Sequence, residues 1–392
     1  MEAVFPAWGA EVVRSLSWIR RQFSPIAIDW GHRVVRMAQL ATHRGQVTLV
    51  HYAQRELPPG IEDPTELEKL QTEAVRGMLA HERFSGRNVV TALDWNALTI
   101  KSVRLAVPEE ASDTGAIRLE LADRIGLDPV FHDVRYLVAG DVREGTAIGQ
   151  EYIVMAAARA TIESQAERLQ TLGLIPAAID AAPCAVFRCF QRFLRRDKDQ
   201  DTTLAYLDMG YSGARILVSR GPKLVFVRTV PISGARLDEM VSQHLDLSLT
   251  DAVALRIRLH RYHAALLAKT IHLSNEPEMV SDSMRRALLG TIRPALDHLG
   301  KEIAQALRYC STTFRGLRIR NVFVVGGEAF NIDMLQFLSD QVGVPFEPGR
   351  PLRNIALEPS LQVGDRRTGQ PEWGTLLGLG QMRPVRAAVV RS

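Results

Sequence analysis

Three short segments combine residue types and spacing that suit the binding of an anionic ligand. Each is an apolar run of strand length, and the runs end at Asp29-Trp30-Gly31, Asp208-Met209-Gly210 and Gly326-Gly327, the pattern expected where a buried strand enters a tight turn. Glycine lets backbone N–H groups approach anionic oxygens closely, whereas the aspartates would hold a hydrated magnesium ion rather than the phosphate itself. Two such turns facing each other would clamp a phosphate group.

An aspartate two residues before a glycine also has a plain structural interpretation. Asp29 and Asp208 could cap or brace the turns after their strands, as Asp-x-Gly sequences often do. The meander of strands predicted at residues 25–52, however, is repeated near residues 203–230. A duplication of this kind predicts two similar halves around a cleft, with Asp29 and Asp208 facing each other across it.

Predicted strands and helices alternate around these turns. Asp63 and Pro64 have the residue types of an N-cap and a first helical position, so a helix is predicted to begin there. Residues 235–315 are predicted to be mostly helical, and the last of these helices carries an apolar stripe at helical spacing. A Gly-rich segment at residues 373–380 is predicted to form a helix that packs against the second half.

Composition is that of an ordinary soluble protein and excludes little by itself. The chain has 392 residues, of which 46% are hydrophobic and 23% charged, with a net charge of +4. Its arginines are scattered rather than concentrated on one stretch with aromatics, so no nucleic-acid groove is predicted. Cys184, Cys189 and Cys310 lack metal-ligand spacing and are interpreted as core thiols in a reducing cytoplasm.

The first 24 residues form a separate arm in the sequence. No stretch of the chain reaches the roughly 18 apolar residues that a membrane span needs, and the arm lacks the features of a signal peptide. Its apolar residues are interleaved with Arg14, Arg20 and Arg21, which predicts an amphipathic helix on an anionic membrane surface, or one packed against its own domain or a partner.

These motifs carry a resemblance that covers residues 25–382. The duplicated meanders with Asp-x-Gly, the late Gly-Gly turn and the upstream pair Lys301-Glu302 resemble the actin, Hsp70 and FtsA ATPase superfamily. Within it the chain is similar to the PilM family of the type IV pilus inner-membrane platform. The implied fold class is α/β: an actin-like ATPase fold with two ribonuclease-H-like halves around a nucleotide cleft and an FtsA/PilM-type inserted subdomain.

The resemblance also implies a division of the chain. The expected segments are an amphipathic arm (1–24), the first half (25–86), the inserted subdomain (87–180), a return helix and linker (181–200), the second half (201–234), a helical subdomain (235–315), the completion of the second half with a C-terminal helix (316–382), and a tail (383–392).

Site residues follow from matching the family's motifs. ATP and magnesium are the implied ligands, with Asp29, Asp180 and Asp208 as catalytic residues and Asp29 and Asp208 holding magnesium through water. Asp180 has an alternative role as the N-cap of the next helix. The implied nucleotide-binding residues are Asp29, Gly31, His32, Asp208, Gly210, Tyr211, Ser212, Lys301, Glu302, Gly326, Gly327 and Glu328.

Several of these positions depart from the family pattern. His32 stands where a small hydroxyl residue is common, Tyr211 replaces a small residue, and Glu328 occupies the place of a third glycine. A glutamate beside phosphates would weaken binding by like-charge repulsion unless it points away. These departures predict a degenerate nucleotide site with weak or no ATPase activity.

Three functions remain open from the sequence. One is a cytoplasmic scaffold, regulated by ATP, that is peripheral at the inner face of the cytoplasmic membrane. The second is a nucleotide-free pseudo-ATPase interaction module, and the third, more remote, is a sugar-kinase-like enzyme. The implied partner is the cytoplasmic N-terminal peptide of a PilN-like bitopic protein. Other pilus platform or motor components and homo-oligomers are further candidates, and the sequence does not separate a pilus from a secretion or competence system.

Overall fold

The computed structural model describes residues 21–93, 95–106, 114–144, 147–194, 196, 199–269, 280–314, 317–361, 363 and 366–382. Its strands are β1 (Gln22–Phe23), β2 (Ile26–Trp30), β3 (Val34–His43), β4 (Gln46–Glu56), β5 (Asn88–Ala92), β6 (Thr99–Ala106), β7 (His132–Glu144), β8 (Ala147–Ala158), β9 (Ile175–Asp180), β10 (Thr203–Met209), β11 (Ala214–Arg220), β12 (Lys223–Val230), β13 (Val322–Val325), β14 (Phe346–Pro348) and β15 (Ala356–Leu357).

The helices are α1 (Pro64–His81), α2 (Thr114–Ile125), α3 (Arg159–Thr171), α4 (Ala182–Gln191), α5 (Gly234–Leu245), α6 (Leu249–Ala268), α7 (Asp282–Thr313), α8 (Ile332–Val342) and α9 (Gly374–Gly380). The helix predicted at Asp63 is confirmed, since the Asp63 carboxylate accepts a hydrogen bond from the Thr65 N–H at 2.9 Å. Residues 1–20 of the predicted arm (1–24) and the tail at residues 383–392 lie outside the described residues. Within the described part of the arm, Gln22–Phe23 form strand β1, which pairs with β3, so the predicted helix does not extend to these residues.

Two of the sheets in the described chain share a topology. Strands β2, β3 and β4 form an antiparallel meander with β5 parallel to β2, and β10, β11 and β12 form another with β13 parallel to β10. The register is repeated as well: Asp29 lies opposite Arg36 on the neighbouring strand, and Asp208 lies opposite Arg215. The predicted duplication is confirmed and extends to an aspartate–arginine pair.

The inserted subdomain is smaller than the sequence suggested. The third sheet has the order β6-β8-β7 and packs with α2 around its own core of Leu121, Val134 and Tyr152. Strands β5 and β9 belong instead to the first sheet, and Leu169 of α3 is buried in the core of the first half. The insert therefore spans residues 99–158 rather than 87–180, because long-range parallel pairing assigns the flanking strands to the first sheet.

A continuous apolar core joins the two halves. Val186 and Cys189 of α4 and Leu376 of α9 are buried in one cluster with residues of both larger sheets. Helix α9 packs mainly on α4 and on β2 and β3 of the first sheet, so the prediction that it packs with the second half is wrong. The cysteines are free, and burial raises the pKa of each thiol to about 12. Among the described helices none is long and apolar enough to cross a bilayer.

Candidate functional site

The turns after β2, β10 and β13 open onto one cavity of about 590 Å³. Ten of the predicted site residues line it: Asp29, Gly31, His32, Asp208, Gly210, Tyr211, Ser212, Gly326, Gly327 and Glu328. All three turns follow the carboxyl ends of strands, and the two parallel pairs β2/β5 and β10/β13 carry those ends to the same side of each sheet. Such crevices are where open α/β sheets bind ligands.

The two aspartates are partly buried carboxyl groups, each beside an arginine. Burial raises the pKa of Asp29, and the Arg36 guanidinium, 3.9 Å away, opposes that rise. Burial also raises the pKa of Asp208 to about 6; Arg215 lowers it, and the negative charge of Asp29 raises it further. The two carboxylates thus interact electrostatically, because the charge of Asp29 acts on the pKa of Asp208. Each would be ionised, as a hydrated cation requires, only above its raised pKa.

Two glycines shape the walls of this cavity. A Cβ atom on Gly31 would lie 2.3 Å from the carbonyl oxygen of Val34, so only glycine fits this turn. Gly326 has a φ of +90°, and a Cβ atom there would lie 2.3 Å from the Met209 oxygen. The residues present therefore fit the close backbone approach that a phosphate group requires.

Magnesium is the metal ion that the sequence analysis predicts for this cleft. Within the part of the chain that the structure describes, no group of three or more His, Cys, Asp and Glu side chains is placed to hold a metal ion. Asp29 and Asp208 could contribute only two carboxylates, so magnesium would have to keep most of its water, as this ion commonly does.

Side chains from the two phosphate-type turns meet across the cleft. Ser212 Oγ lies 2.8 Å from His32 Nδ1. Arg33 forms an ion pair with Asp238 of α5, and its guanidinium lies 4.8 Å from the centre of the Tyr211 ring. Two of the residues that depart from the family pattern, His32 and Tyr211, also lie side by side, with ring centres 5.7 Å apart. Any ligand phosphate between the turns would compete with these contacts.

A buried charge network continues from Asp238 into the second half. Arg256 of α6 is 1% exposed, pairs with both Asp238 and Glu328, and donates to the Gly234 carbonyl at 2.9 Å. His260 Nε2 lies 3.5 Å from the Glu328 carboxylate, but burial and the charge of Arg256 hold the pKa of His260 well below its usual range. Glu328 is therefore neutralised by Arg256, which removes much of the repulsion expected beside phosphates.

Sequence reasoning missed Arg33, Asp238 and Arg256. One signal was present for Arg256: it lies on the apolar face of α6 in step with Ala252, Val253 and Leu259, all of which are buried. A charge on a buried stripe requires an acidic partner. The sequence does not say which acid that partner is, because Glu328 is remote along the chain.

Asp180, Lys301 and Glu302 do not line the cavity. The Asp180 carboxylate accepts from the Ala181 N–H and pairs with Arg188 of α4, each at 2.8 Å. The N-cap of α4 is Ala181, without a side-chain capping bond, so the alternative role of Asp180 as N-cap is wrong as well.

On α7, Lys301 is exposed and Glu302 pairs with Arg228 of β12 at 2.8 Å. The apolar stripe of α7 fixes the rotation of the helix and turns these two residues away. Helix α6 lines the cavity instead, through Thr250, Val253, Ala254, Ile257, His260, Arg261 and Ala264.

Comparisons with known proteins agree with this architecture. A family model described as "Type IV pilus assembly protein PilM" matches residues 27–261. The solved structure of a PilM-PilN type IV pilus biogenesis complex matches with a TM-score of 0.70 and 22% identity, covering 92% of this chain and 98% of that one. No curated protein matches.

Two further solved structures match with lower scores. Ethanolamine utilization protein EutJ from Carboxydothermus hydrogenoformans has a TM-score of 0.47 at 13% identity, covering 93% of this chain and 90% of that one. The cytoplasmic domain of EpsL, an inner-membrane component of the type II secretion system of Vibrio cholerae, has a TM-score of 0.36 at 11% identity, covering 90% and 94%.

Proposed function

This chain belongs to the family of type IV pilus assembly protein PilM, and we propose that it is a docking scaffold of a pilus or related secretion platform. Its ligand is the short cytoplasmic N-terminal peptide of a PilN-like bitopic protein, which holds the scaffold at the inner face of the cytoplasmic membrane. The similar solved structure is that of a PilM-PilN complex, which supports this partner class. Other platform or motor components would bind the same scaffold.

The distribution of exposed apolar side chains carries the proposal. Among the described residues, eight large apolar side chains are exposed, and five of them lie in the small inserted subdomain: Leu119, Val130, Phe131, Leu137 and Val138. Val130 and Phe131 are 70% and 66% exposed. Exposed apolar groups concentrated on one small unit are typical of a protein-binding surface.

The insert is also placed to transmit a docking event to the cleft. Its strands β6 and β7 pack against β12 of the second half. Glu151 of β8 is 3% exposed and accepts a hydrogen bond from the Tyr309 hydroxyl of α7 at 2.7 Å. A peptide bound on the insert would therefore favour particular orientations of the second half, and cleft closure would in turn alter the affinity for the peptide.

Phe131→Asp and Val138→Asp are expected to weaken binding of the partner's N-terminal peptide by about 10- to 150-fold each, since burial of one such side chain contributes about 1.5–3 kcal/mol. Fluorescence anisotropy of the labelled peptide measures this. Leu266→Asp on α6, which is 40% exposed and outside the insert, is the matched control and should retain wild-type affinity. If all three variants bind the peptide with equal affinity, the insert is not the docking surface.

The scaffold binds ATP with magnesium weakly in the cleft and hydrolyses it slowly or not at all. The cavity of about 590 Å³ and its glycine turns support binding. The contacts of Ser212 with His32 and of Asp238 with Arg33 support weak binding, because they already join the two halves across the cleft. These same contacts favour a second candidate function, a nucleotide-free interaction module.

A fluorescent ATP analogue should bind only with magnesium, and Asp208→Ala should abolish that binding. Turnover should stay below about 1 per second, the low end of ordinary enzyme rates. Arg33→Ala should tighten analogue binding, because it removes a contact that competes with the phosphates; Arg236→Ala, an exposed arginine on α5, is the control. Absence of binding at millimolar nucleotide would establish the nucleotide-free module, and fast turnover that depends on Asp208 would refute a degenerate site.

A further inference from the structure

The turn at Asp29-Trp30-Gly31, here called the first turn, is held from behind by one side-chain amide. Gln71 of α1 is 5% exposed, and its Nε2 donates to the carbonyl oxygens of Trp30 and Gly31 at 3.0 and 3.2 Å. In a trans peptide unit the C=O and N–H groups point in opposite directions. The N–H groups of Gly31 and His32 therefore point away from α1, and no described residue of α1 lines the cleft cavity. Gln71 thus orients donors that an anion between the turns needs.

Gln71 is itself positioned by Arg168 of α3. Arg168 Nη2 donates to Gln71 Oε1 at 3.1 Å and to the Glu68 carbonyl at 2.8 Å, and its Nε donates to Thr72 Oγ1 at 2.8 Å. The guanidinium carbon lies 3.9 Å from the centre of the Trp30 ring, within the range of a cation–π contact. The side chain is 10% exposed, and burial lowers the pKa of Arg168 to about 10, which leaves it charged at neutral pH. Arg168 therefore contacts α1 and the first turn together.

Helix α3 begins at the proposed docking surface of the insert. Strand β8 ends at Ala158, and α3 starts at the next residue, Arg159. The Arg159 N–H donates to the Phe131 carbonyl at 2.8 Å, and its guanidinium donates to the Pro129 carbonyl at 3.2 Å. Phe131 is one of the exposed apolar side chains of the insert. The first residue of α3 therefore holds the loop that carries part of the docking surface.

The same helix ends against the first turn. Arg159 and Arg168 are separated by about 14 Å along the helix axis. Leu169, next to Arg168, is fully buried in the core of the first half. Because the hydrogen-bonded backbone of a helix resists bending, a displacement at Arg159 tilts α3 about this buried residue and moves Arg168 against Trp30. A rigid element of this kind can carry coupling between two sites.

We propose that Arg168 is a positioning residue for the first turn and that α3 transmits peptide docking on the insert to the cleft through it. Docking moves the loop at Phe131, α3 tilts, and the contacts of Arg168 with Gln71 and Trp30 change how the first turn is held. The coupling is reciprocal, so an anion in the cleft alters the peptide affinity by the same factor. This route runs within the first half, and the inference deepens the docking role proposed above and rests on it.

The indole N–H resonance of Trp30 tests this route without any nucleotide. The resonance is assigned by its loss in Trp30→Phe, and a synthetic peptide of the partner's cytoplasmic N-terminus is titrated into the full chain. The resonance should shift with bound peptide in the wild type and in Glu167→Ala, an exposed neighbour on α3. In Arg168→Ala the peptide-induced shift should disappear while the peptide affinity stays close to that of the wild type.

Arg159→Pro interrupts the route at its other end and leaves Arg168 in place. Ala158 has a ψ of 134°, the extended conformation that precedes proline, and proline fits the first position of a helix. The substitution removes the N–H that binds the Phe131 carbonyl as well as the guanidinium. At saturating peptide it should abolish the shift of the Trp30 resonance, whereas Arg159→Ala, which retains the N–H, should preserve part of the shift.

The affinity for a fluorescent ATP analogue with magnesium gives a second readout. Saturating peptide should change this affinity by at least about fivefold in the wild type, the low end of usual allosteric coupling. Gln71→Ala and Arg168→Ala should remove that change, because each breaks the link between α3 and the first turn.

The outcomes separate this route from the docking role on which it rests. A Trp30 resonance that does not move when peptide is bound to the wild type overturns the proposal. An equal peptide-induced shift in the wild type and Arg168→Ala also overturns it, because a residue that only stabilises the fold would leave that shift unchanged. Both results leave docking on the insert intact. Failure of the peptide to bind, or binding that Phe131→Asp does not weaken, refutes the docking surface and with it the route that starts there.

Discussion

Replacing Arg256 by alanine is expected to lower the free energy of unfolding by about 3–5 kcal/mol, the usual cost of breaking a buried ion pair from one side. Arg256 pairs with both Asp238 and Glu328, whose side chains are 0% and 4% exposed, and with Arg33 it balances their two negative charges. Without the guanidinium, two buried carboxylates remain within one network that retains Arg33 alone at its edge. Denaturant titration followed by circular dichroism measures the loss.

Two further variants separate charge from packing. Arg258→Ala removes an exposed arginine from the same helix and should change the unfolding free energy by less than about 0.5 kcal/mol. Adding Glu328→Gln to Arg256→Met, which removes one uncompensated charge and retains side-chain volume, should recover a substantial part of the loss. If Arg256→Ala and Arg258→Ala cost the same, the buried network is not a stabilising element of the cleft.

Asp208→Asn should stabilise the ligand-free protein at pH 7.5 by about 1–2 kcal/mol. The pKa of Asp208 is raised to about 6 by burial, against about 3.9 in an unfolded chain. As the pH rises from about 4 to about 6, the unfolded chain releases the Asp208 proton before the folded protein does. The free energy of unfolding therefore falls over this pH range and stays lowered above about pH 6. The expected gain in unfolding free energy is smaller than the full pKa shift of Asp208 would give, because the carboxyl group faces water in the cleft.

The pH profile distinguishes this mechanism from a general effect of the substitution. The stability difference between Asp208→Asn and wild type should vanish as pH falls below about 4, where both states hold the proton. Asp201→Asn, at a side chain that is 83% exposed, should show little change at any pH. A stability gain that does not depend on pH would mean that the pKa of Asp208 is not raised in the folded protein and that the gain comes from the substitution itself.

The same substitution relates stability to binding. An aspartate kept at an energetic cost in the free protein is expected where a ligand later needs the negative charge. If the cleft binds nucleotide with magnesium, Asp208→Asn should lose that binding while gaining stability. Thermal unfolding with and without the nucleotide and magnesium measures both effects on one sample.

The sequence by itself determined the architecture of the two halves and the position of the cleft turns. Apolar runs that end at Asp29-Trp30-Gly31 and Asp208-Met209-Gly210 specify buried strands and tight turns through short-range effects of side-chain period and glycine geometry. Because the pattern occurs twice, the paired meanders and the shared side of the turns could be predicted without coordinates. The family resemblance added the inserted subdomain and the expected ligands.

Tertiary structure alone decided which charges meet. Glu328 is neutralised by Arg256, Arg33 crosses to Asp238, and Glu302 turns to Arg228, and each of these pairs joins elements remote in the chain. Rotation of α7 by its apolar stripe removed Lys301 and Glu302 from the cleft, and sheet pairing moved β5 and β9 out of the insert. Backbone turns are set by neighbours in sequence, whereas the partner of a buried charge is set by packing between elements, which local patterns do not encode.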